Sequence, residues 1–268
     1  MIAKMLQKQL GSTRVFAIDP RARLFSRSCY RTRAKFISNI CEHEIWQAMA
    51  QFDEALRRYY DRQANVYDDM YMRREPEWRR ELEAVTNAMA KALSGRRVLE
   101  VACGTGFWTE IVAKVARHVV AIDVSEKMLT IARKRKVRSA NVEYRRGDAY
   151  ALAEVSDEFN AGLANFWFSH VPKARIDEFL HGFHKKLGKT AVVFMADNVY
   201  VPGIGGQLVT KVGIEDTFKL RKASDGSEYE VLKNYYNTDT LRRLLSPKTS
   251  DLKVHEAKYF WWVQYMVP

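Results

Sequence analysis

Glu100, Gly104 and Gly106 form an acid-x-x-x-Gly-x-Gly pattern at the end of a short apolar run. Glycines at such a turn let the backbone bend tightly and let a ligand approach with no Cβ in the way. Asp123 follows 17 residues after Gly106, at the end of a second apolar run, where a carboxylate can accept from both hydroxyls of a ribose. Asp148 ends a third run and is placed to accept from an exocyclic amine, with the Ala149 amide available to a ring nitrogen. A bare glycine pair is a weak signal, whereas such features in register along successive strands are a strong one. A dinucleotide is one ligand of this shape, and three features disfavour it. Thr109 replaces the third glycine of G-x-G-x-x-G, and Glu100 would repel a pyrophosphate while suiting an ammonium group. Phe107 and Trp108 crowd the helix start where a diphosphate would sit.

The elements that must position these residues follow from periodicity. A helix is expected from about Gln51, carrying Tyr59, Tyr60, Tyr67 and Tyr71, and a second after Pro76, with Gly95 as its cap. Strands are expected at 98–102, 119–122, 142–145, 161–166 and 190–195, with helices between them capped at Ser125 and begun after Pro172. This alternation implies an α/β fold, a doubly wound, largely parallel sheet with helices on both faces, whose ligand lies beyond the carboxyl ends of the strands. Residues 198–236 interrupt the alternation as an insertion, with a hairpin expected around Asp225-Gly226. A helix at 241–245 and one last strand at 254–263 complete the pattern.

Composition narrows the classes further. The chain has 268 residues, 47% of them hydrophobic, enough for a sizeable core and too many for a disordered chain. No run of 18 apolar residues suits a membrane-spanning helix. The three cysteines, Cys29, Cys41 and Cys103, lack metal-type spacing and suit a reducing compartment. The net charge of +12 is the abnormal value. Residues 1–40 carry nine basic residues and one acid, a net +8, which leaves only +4 on the other 228 residues.

Val98-Leu99-Glu100-Val101-Ala102-Cys103-Gly104-Thr105-Gly106, Ala121-Ile122-Asp123-Val124-Ser125 and Gly147-Asp148-Ala149 together resemble the motifs of class I S-adenosylmethionine-dependent methyltransferases of the small-molecule type. The resemblance covers about residues 51–268. It implies a Rossmann-like, seven-stranded, mostly parallel sheet with an N-terminal helical lid and a β-hairpin insertion. It also implies S-adenosylmethionine as cofactor, S-adenosylhomocysteine as product, and no metal. Glu100, Ala102, Cys103, Gly104 and Gly106 would cradle the methionine moiety, with Ala102 standing where the commonest form has a first glycine. Asp123 would hold the ribose, Val124 and Met128 would flank the adenine, and Asp148 and Ala149 would read its edge. Tyr60 and Tyr67 of the lid would reach the cofactor carboxylate, and Trp108 and Asn165 complete the expected cofactor set.

The fourth strand end, Asn165-Phe166-Trp167-Phe168-Ser169-His170, is where the methyl would meet its acceptor. His170 is the candidate base, and Trp167 and Phe168 are the candidate walls of an aromatic acceptor pocket suited to a planar or amine-bearing small molecule. His181 and His184 read as a solvated face, and most of Tyr259-Phe260-Trp261-Trp262 as core. A nucleic-acid acceptor is disfavoured. The Asn/Asp-Pro-Pro-aromatic pattern of base-amino methylation is absent, Cys103 is misplaced for C5 chemistry, and +4 is too mild for a phosphate-tracking groove. A cofactor-binding interaction protein is the remaining alternative. The domain is expected at 49–268, behind a basic leader at 1–48. The leader reads as an extension, as a transit peptide that would direct the protein from the cytoplasm to the mitochondrial matrix, or as a binding arm. Intact-mass measurement of the protein from its native source separates these readings, since a mature start near residues 45–50 would remove the arm from the working enzyme.

Overall fold

A computed structural model describes residues 54–268, apart from 136, 138–140, 153–154, 156–157 and 224. The basic leader and the helix start near Gln51 lie outside the described residues. Residues 54–63 are helical (α1) and run into a 3-10 helix at Ala64–Tyr71. The expected single helix through Tyr67 and Tyr71 is thus tightened in its second half. A fresh helix, α2 (Pro76–Leu93), starts with Pro76 in its first turn, where a missing N–H costs nothing. Gly95, at φ +71°, follows its end and adopts the left-handed turn that glycine tolerates.

The central layer is a seven-stranded sheet. Its strands are β1 (Arg97–Val101), β2 (His118–Asp123), β3 (Val142–Arg146), β4 (Ala161–Asn165), β5 (Val192–Asn198), β9 (Ser250–Glu256) and β10 (Phe260–Met266), in the order β3-β2-β1-β4-β5-β10-β9. The first five are parallel, and β10 runs antiparallel to both β5 and β9. Helices α3 (Phe107–Val112), α4 (Glu126–Ala132) and α5 (Ile176–Leu187) supply crossovers, and α6 (Thr238–Leu245) packs near β9. Ser125 caps α4 by accepting from the Met128 amide at 3.2 Å, as its position predicts.

Alternating residues fill a core on each face of the sheet. Leu99, Val101, Phe179, Phe183 and Trp261 lie in one cluster, while Val85, Met89, Val98, Phe194 and Phe260 lie in the other. Tyr259, Phe260 and Trp261 are core residues, and the half-buried Trp262 stacks on His255 with ring centres 5.0 Å apart.

One expectation needs correction and another is extended. The single last strand at 254–263 is a two-strand hairpin, closed by the Ala257 amide donating to the Phe260 carbonyl at 2.9 Å. Its turn, Ala257-Lys258-Tyr259, holds no glycine, proline or asparagine to punctuate the apolar pattern. The expected hairpin around Asp225-Gly226 forms between β7 (Thr217–Lys222) and β8 (Glu228–Leu232). The insertion adds a further strand, β6 (Gln207–Thr210), to make a three-stranded antiparallel sheet in the order β6-β7-β8. Strand β6 is four residues long and its two apolar residues, Leu208 and Val209, are adjacent and only partly buried, too short a pattern to announce a strand.

Gly162 lets α5 press on β4. A Cβ there would lie 2.5 Å from Leu187 Cδ1 and 2.6 Å from Phe183 Cζ. Gly162→Ala is expected to lower stability by about 1–3 kcal/mol, measured as a lower urea midpoint at unchanged slope.

Candidate active site

Strand β1 leads to partners on either side, β2 and β4, so their carboxyl ends open the crevice where doubly wound sheets hold ligands. The backbone there is unusual. Ala102 after β1 has φ +51° and Phe166 after β4 has φ +57°, the left-handed region that side chains disfavour by roughly 1–2 kcal/mol. Gly104 has φ +56°, and a Cβ on it would meet nothing within 4 Å, so its bare face is open space. Gly106, at φ +76°, differs: a Cβ would fall 2.9 Å from the Tyr144 hydroxyl and 3.0 Å from Ala132 Cβ. The first of these two glycines leaves room beside the crevice, and the second lets the loop close against α4.

A cavity of about 350 Å³ occupies the crevice. Of the residues singled out by sequence, Ala102, Gly104, Asp123, Val124 and Met128 line it from the first two strand ends. Asp148 and Ala149 line it after β3, Trp167 and His170 after β4, and Tyr60 and Tyr67 from the lid. The Asp123 carboxylate accepts from the Gly104 amide through Oδ2 and from the Ser125 amide through Oδ1, both at 2.8 Å. Asp148 Oδ1 accepts from the Tyr150 amide at 2.9 Å.

The other expected residues do not line the cavity. Glu100 is buried and accepts from the Thr109 hydroxyl at 2.6 Å. Cys103 and Trp108 belong to the core cluster beneath the loop, because their side chains leave the backbone on the face away from the crevice. Trp108 donates to the Tyr71 hydroxyl at 3.2 Å and stacks on Phe166. Gly106 is taken up by the close approach to α4. Asn165 turns into the interior, its amide 3.4 Å from the Met89 sulfur. Phe168 is fully buried against Tyr236 and Trp261, so only Trp167 of the expected aromatic pair faces the cavity. His184 meets the Tyr265 hydroxyl at 2.9 Å and is half-buried, which corrects its reading as a solvated residue; His181 is exposed.

His170 is buried, and its bonding defines its tautomer. Nδ1 lies 2.7 Å from the Leu232 carbonyl, which can only accept, so Nδ1 carries the hydrogen. Nε2 then accepts from the Tyr60 hydroxyl at 2.8 Å. Burial, with Lys233 nearby, pushes the imidazole down to about 3 and keeps it neutral. The Tyr60 and Tyr67 phenols are pushed well above their ordinary value by burial. Behind His170 lies a buried cluster that gave no sequence signal: Lys233 Nζ donates to Asp197 Oδ1 at 2.8 Å and to Ser169 Oγ at 2.7 Å, and the Ser169 amide donates to Asp197 Oδ2 at 3.0 Å.

The lid is clamped down at several points. Arg135 pairs with Asp68 of the lid and with Glu110 of α3, and its Nε donates to the Thr105 carbonyl at 2.6 Å. Thr105 Oγ1 donates to Asp68 at 2.6 Å, and Ser125 Oγ donates to Asp61. Tyr71 stacks on Phe107 with ring centres 4.1 Å apart. The insertion also reaches the site, with Val231 packed against Leu56 and Tyr59. Leu56, Arg57 and Tyr150 line the cavity although sequence reasoning passed over them, as it did Phe166 among the site residues. Only the strand-end glycines and acids carry a pattern that local spacing reveals.

Comparison with known proteins agrees with this architecture. A family model described as a methyltransferase domain matches residues 98–189. A demethylmenaquinone methyltransferase of Clavibacter sepedonicus is 33% identical over 190 residues, spanning 69% of this chain and 73% of that protein. A ubiquinone biosynthesis O-methyltransferase of Hahella chejuensis is 41% identical over 83 residues, 30% of this chain and 35% of its own length. In fold, the structure of a DhpI complex with SAH aligns with a TM-score of 0.65 at 23% identity, over 81% of this chain and 97% of that one. The N-methyltransferase NodS of Bradyrhizobium japonicum, in complex with S-adenosyl-L-homocysteine, aligns with a TM-score of 0.57 at 12% identity, over 80% and 98%. The chain belongs to the class I S-adenosylmethionine-dependent methyltransferases, and it is an enzyme of that class with S-adenosylmethionine as its cofactor. Among the described residues, no helix is long and apolar enough to cross a membrane.

Two stability measurements follow. Burial raises the Glu100 carboxyl from 4.5 to about 8, so the folded state holds a proton that the unfolded chain has released between those values. The Glu100 contribution to stability is therefore expected to fall as pH rises from 4.5 to 8, by at most about 1.4 kcal/mol per pH unit. It runs against the opposite slope that the lowered His170 gives below 6.5, and the difference between wild type and Glu100→Gln in urea titrations isolates it. Ala102→Gly relieves a left-handed side chain but frees the unfolded chain, for a net gain of up to about 1 kcal/mol, read as a higher urea midpoint.

Proposed function

We propose that this enzyme methylates a small-molecule acceptor held beneath the lid, beside the cavity at the strand ends. The observation that carries this reading is a second cavity of about 130 Å³, which shares Tyr60, Tyr67, Phe166 and His170 with the first. It is walled by Tyr59, Gln63, Val66 and Met70 of the lid and by Arg221 and Lys233 of the insertion, a space that suits a small molecule. The names of the curated relatives, a demethylmenaquinone methyltransferase and a ubiquinone biosynthesis O-methyltransferase, support a small-molecule acceptor.

The residues of the larger cavity fit S-adenosylmethionine. Its volume is within the range of ligand sites. Gly104 offers open backbone, and Asp123 keeps lone pairs free after its two amide bonds, as ribose hydroxyls require. Val124, Met128 and Ala149 would flank the base, with Asp148 at its edge and Ala102 and the lid tyrosines toward the methionine end. When bound, the cofactor supplies an electrophilic methyl on a sulfonium, delivered by in-line displacement with release of S-adenosylhomocysteine. The lid's aromatic packing excludes water, and Trp167 walls the reacting end. The methylated acceptor, made strongly acidic by its new bond, releases its proton to the Tyr60 oxygen as Tyr60 passes its own to His170 Nε2. The imidazole, which burial makes a weak base, then loses it to solvent; His170 thus acts through Tyr60. Glu100, Cys103, Gly106, Trp108 and Asn165 shape the loop and core beneath the cofactor.

Labelled S-adenosylmethionine incubated with a metabolite extract is expected to label low-mass, nuclease-resistant material; label confined to nuclease-sensitive material would overturn the reading. For an acceptor that loses a proton, His170→Gln and Tyr60→Phe are each expected to lower kcat by about a hundredfold or more. Since His170 remains neutral, it should contribute no step near pH 6.5 to the wild-type rate profile. Unchanged turnover in His170→Gln would end its role in proton transfer.

A further inference from the structure

The smaller cavity is unusual in its charge. Arg221 projects from β7 into its wall, and Lys233 follows β8 on the same wall. Lys233 is matched by Asp197 at 2.8 Å, with side chains 4% and 0% exposed. Arg221 has no such match. Among the described residues no carboxylate forms an ion pair with it, and its Nε is buried without a hydrogen-bond partner. A buried guanidinium donor left unpaired costs free energy that a native structure ordinarily recovers from a partner or a ligand. Two residues before it, Lys219 is 1% exposed, donates to the Ile204 and Gly206 carbonyls at 3.2 and 2.7 Å, and lies over the Tyr200 and Tyr235 rings. The same strand thus brings in a second cation that no carboxylate pairs among the described residues.

The surrounding backbone is shaped around the guanidinium. Gly205, at φ +73°, would place a Cβ 3.3 Å from Arg221 Nη1, and Gly206, at φ +91°, would place one 2.1 Å from the Leu220 carbonyl oxygen. Gly206 thus lets the loop lie against the β7 backbone, and Gly205 leaves room beside the guanidinium. Tyr59, Tyr60 and Tyr67 line the same cavity, with the Tyr60 hydroxyl held by His170. A guanidinium presents a planar fork of donors that matches an oxyanion, and it holds its charge at every working pH.

We infer that Arg221 is an acceptor-specificity residue: the acceptor carries an oxyanion group, a carboxylate or a phosphonate-type acid, which pairs with Arg221 and sets the reacting atom beside Tyr60 and His170. This inference rests on the reading of the two cavities as cofactor and acceptor sites, and it replaces the amine-bearing acceptor that the aromatic residues alone suggested.

The test uses the full chain, with and without saturating S-adenosylhomocysteine, and follows binding of acetate and methylphosphonate by saturation-transfer NMR. Acetamide serves as the neutral control. Saturable binding of at least one anion is expected, which also tells carboxylate from phosphonate; acetamide should not bind. Arg221→Gln should weaken anion binding tenfold or more, and Arg221→Lys should weaken it less. Lys185→Gln, which removes an exposed charge on α5, should bind as the wild type does. Equal anion affinity in wild type and Arg221→Gln, or absence of saturable binding to the wild type, overturns the proposal. If Arg221→Gln does not fold, equal affinity of Arg221→Lys for a planar carboxylate overturns it instead. Failure of S-adenosylhomocysteine to bind would count against the cofactor reading alone, because the anion series on the free protein still reports on Arg221.

Discussion

The site depends on one buried carboxylate. Asp123 ends β2, yet its two oxygens are held by amides of different segments: Gly104 in the loop after β1 and Ser125 at the start of α4. Burial raises this carboxyl above its ordinary value, while the two amide bonds oppose the shift. The same bonds fix the loop after β1 relative to the second strand end. The left-handed turn at Ala102 and the open face of Gly104 are held in place by that contact, and the crevice between them takes its shape from it.

Around this junction the lid is fastened by charge and aromatic packing together. Arg135 joins Asp68, Glu110 and the Thr105 carbonyl, so one guanidinium ties the lid, α3 and the glycine loop. Trp108 was expected to face the ligand and instead supports Tyr71 from below. That exchange of roles has a simple cause. A helix beginning at a left-handed Gly106 turns its first aromatic side chains toward the lid and the core, which leaves the glycine backbone to face the crevice.

His170 shows how a correct location can carry an incomplete chemical reading. It lines both cavities, as a base near an acceptor should. Its lone pair, however, is held by Tyr60, and its N–H is held by a carbonyl at the end of β8. The insertion is therefore part of the site and orients the imidazole from behind. The Lys233–Asp197 pair beside it is also assembled across β5 and the end of β8, from residues with no local pattern.

The sequence by itself determined the alternation of strands and helices, the Ser125 cap, and the acids and glycines at the ends of β1 to β3. These depend on short-range stereochemistry: side-chain periodicity, capping, and the freedom of glycine at a turn. The sequence also made two errors of the same local kind, missing the turn at Ala257 and the exposed strand β6. Tertiary structure alone decided which faces of Cys103, Asn165 and Phe168 turn inward. It alone brought Tyr60 to His170 across 110 residues of chain and set Arg221 in the wall of the cavity they share. Those juxtapositions come from strand order and crossover packing, which no spacing within a single segment encodes.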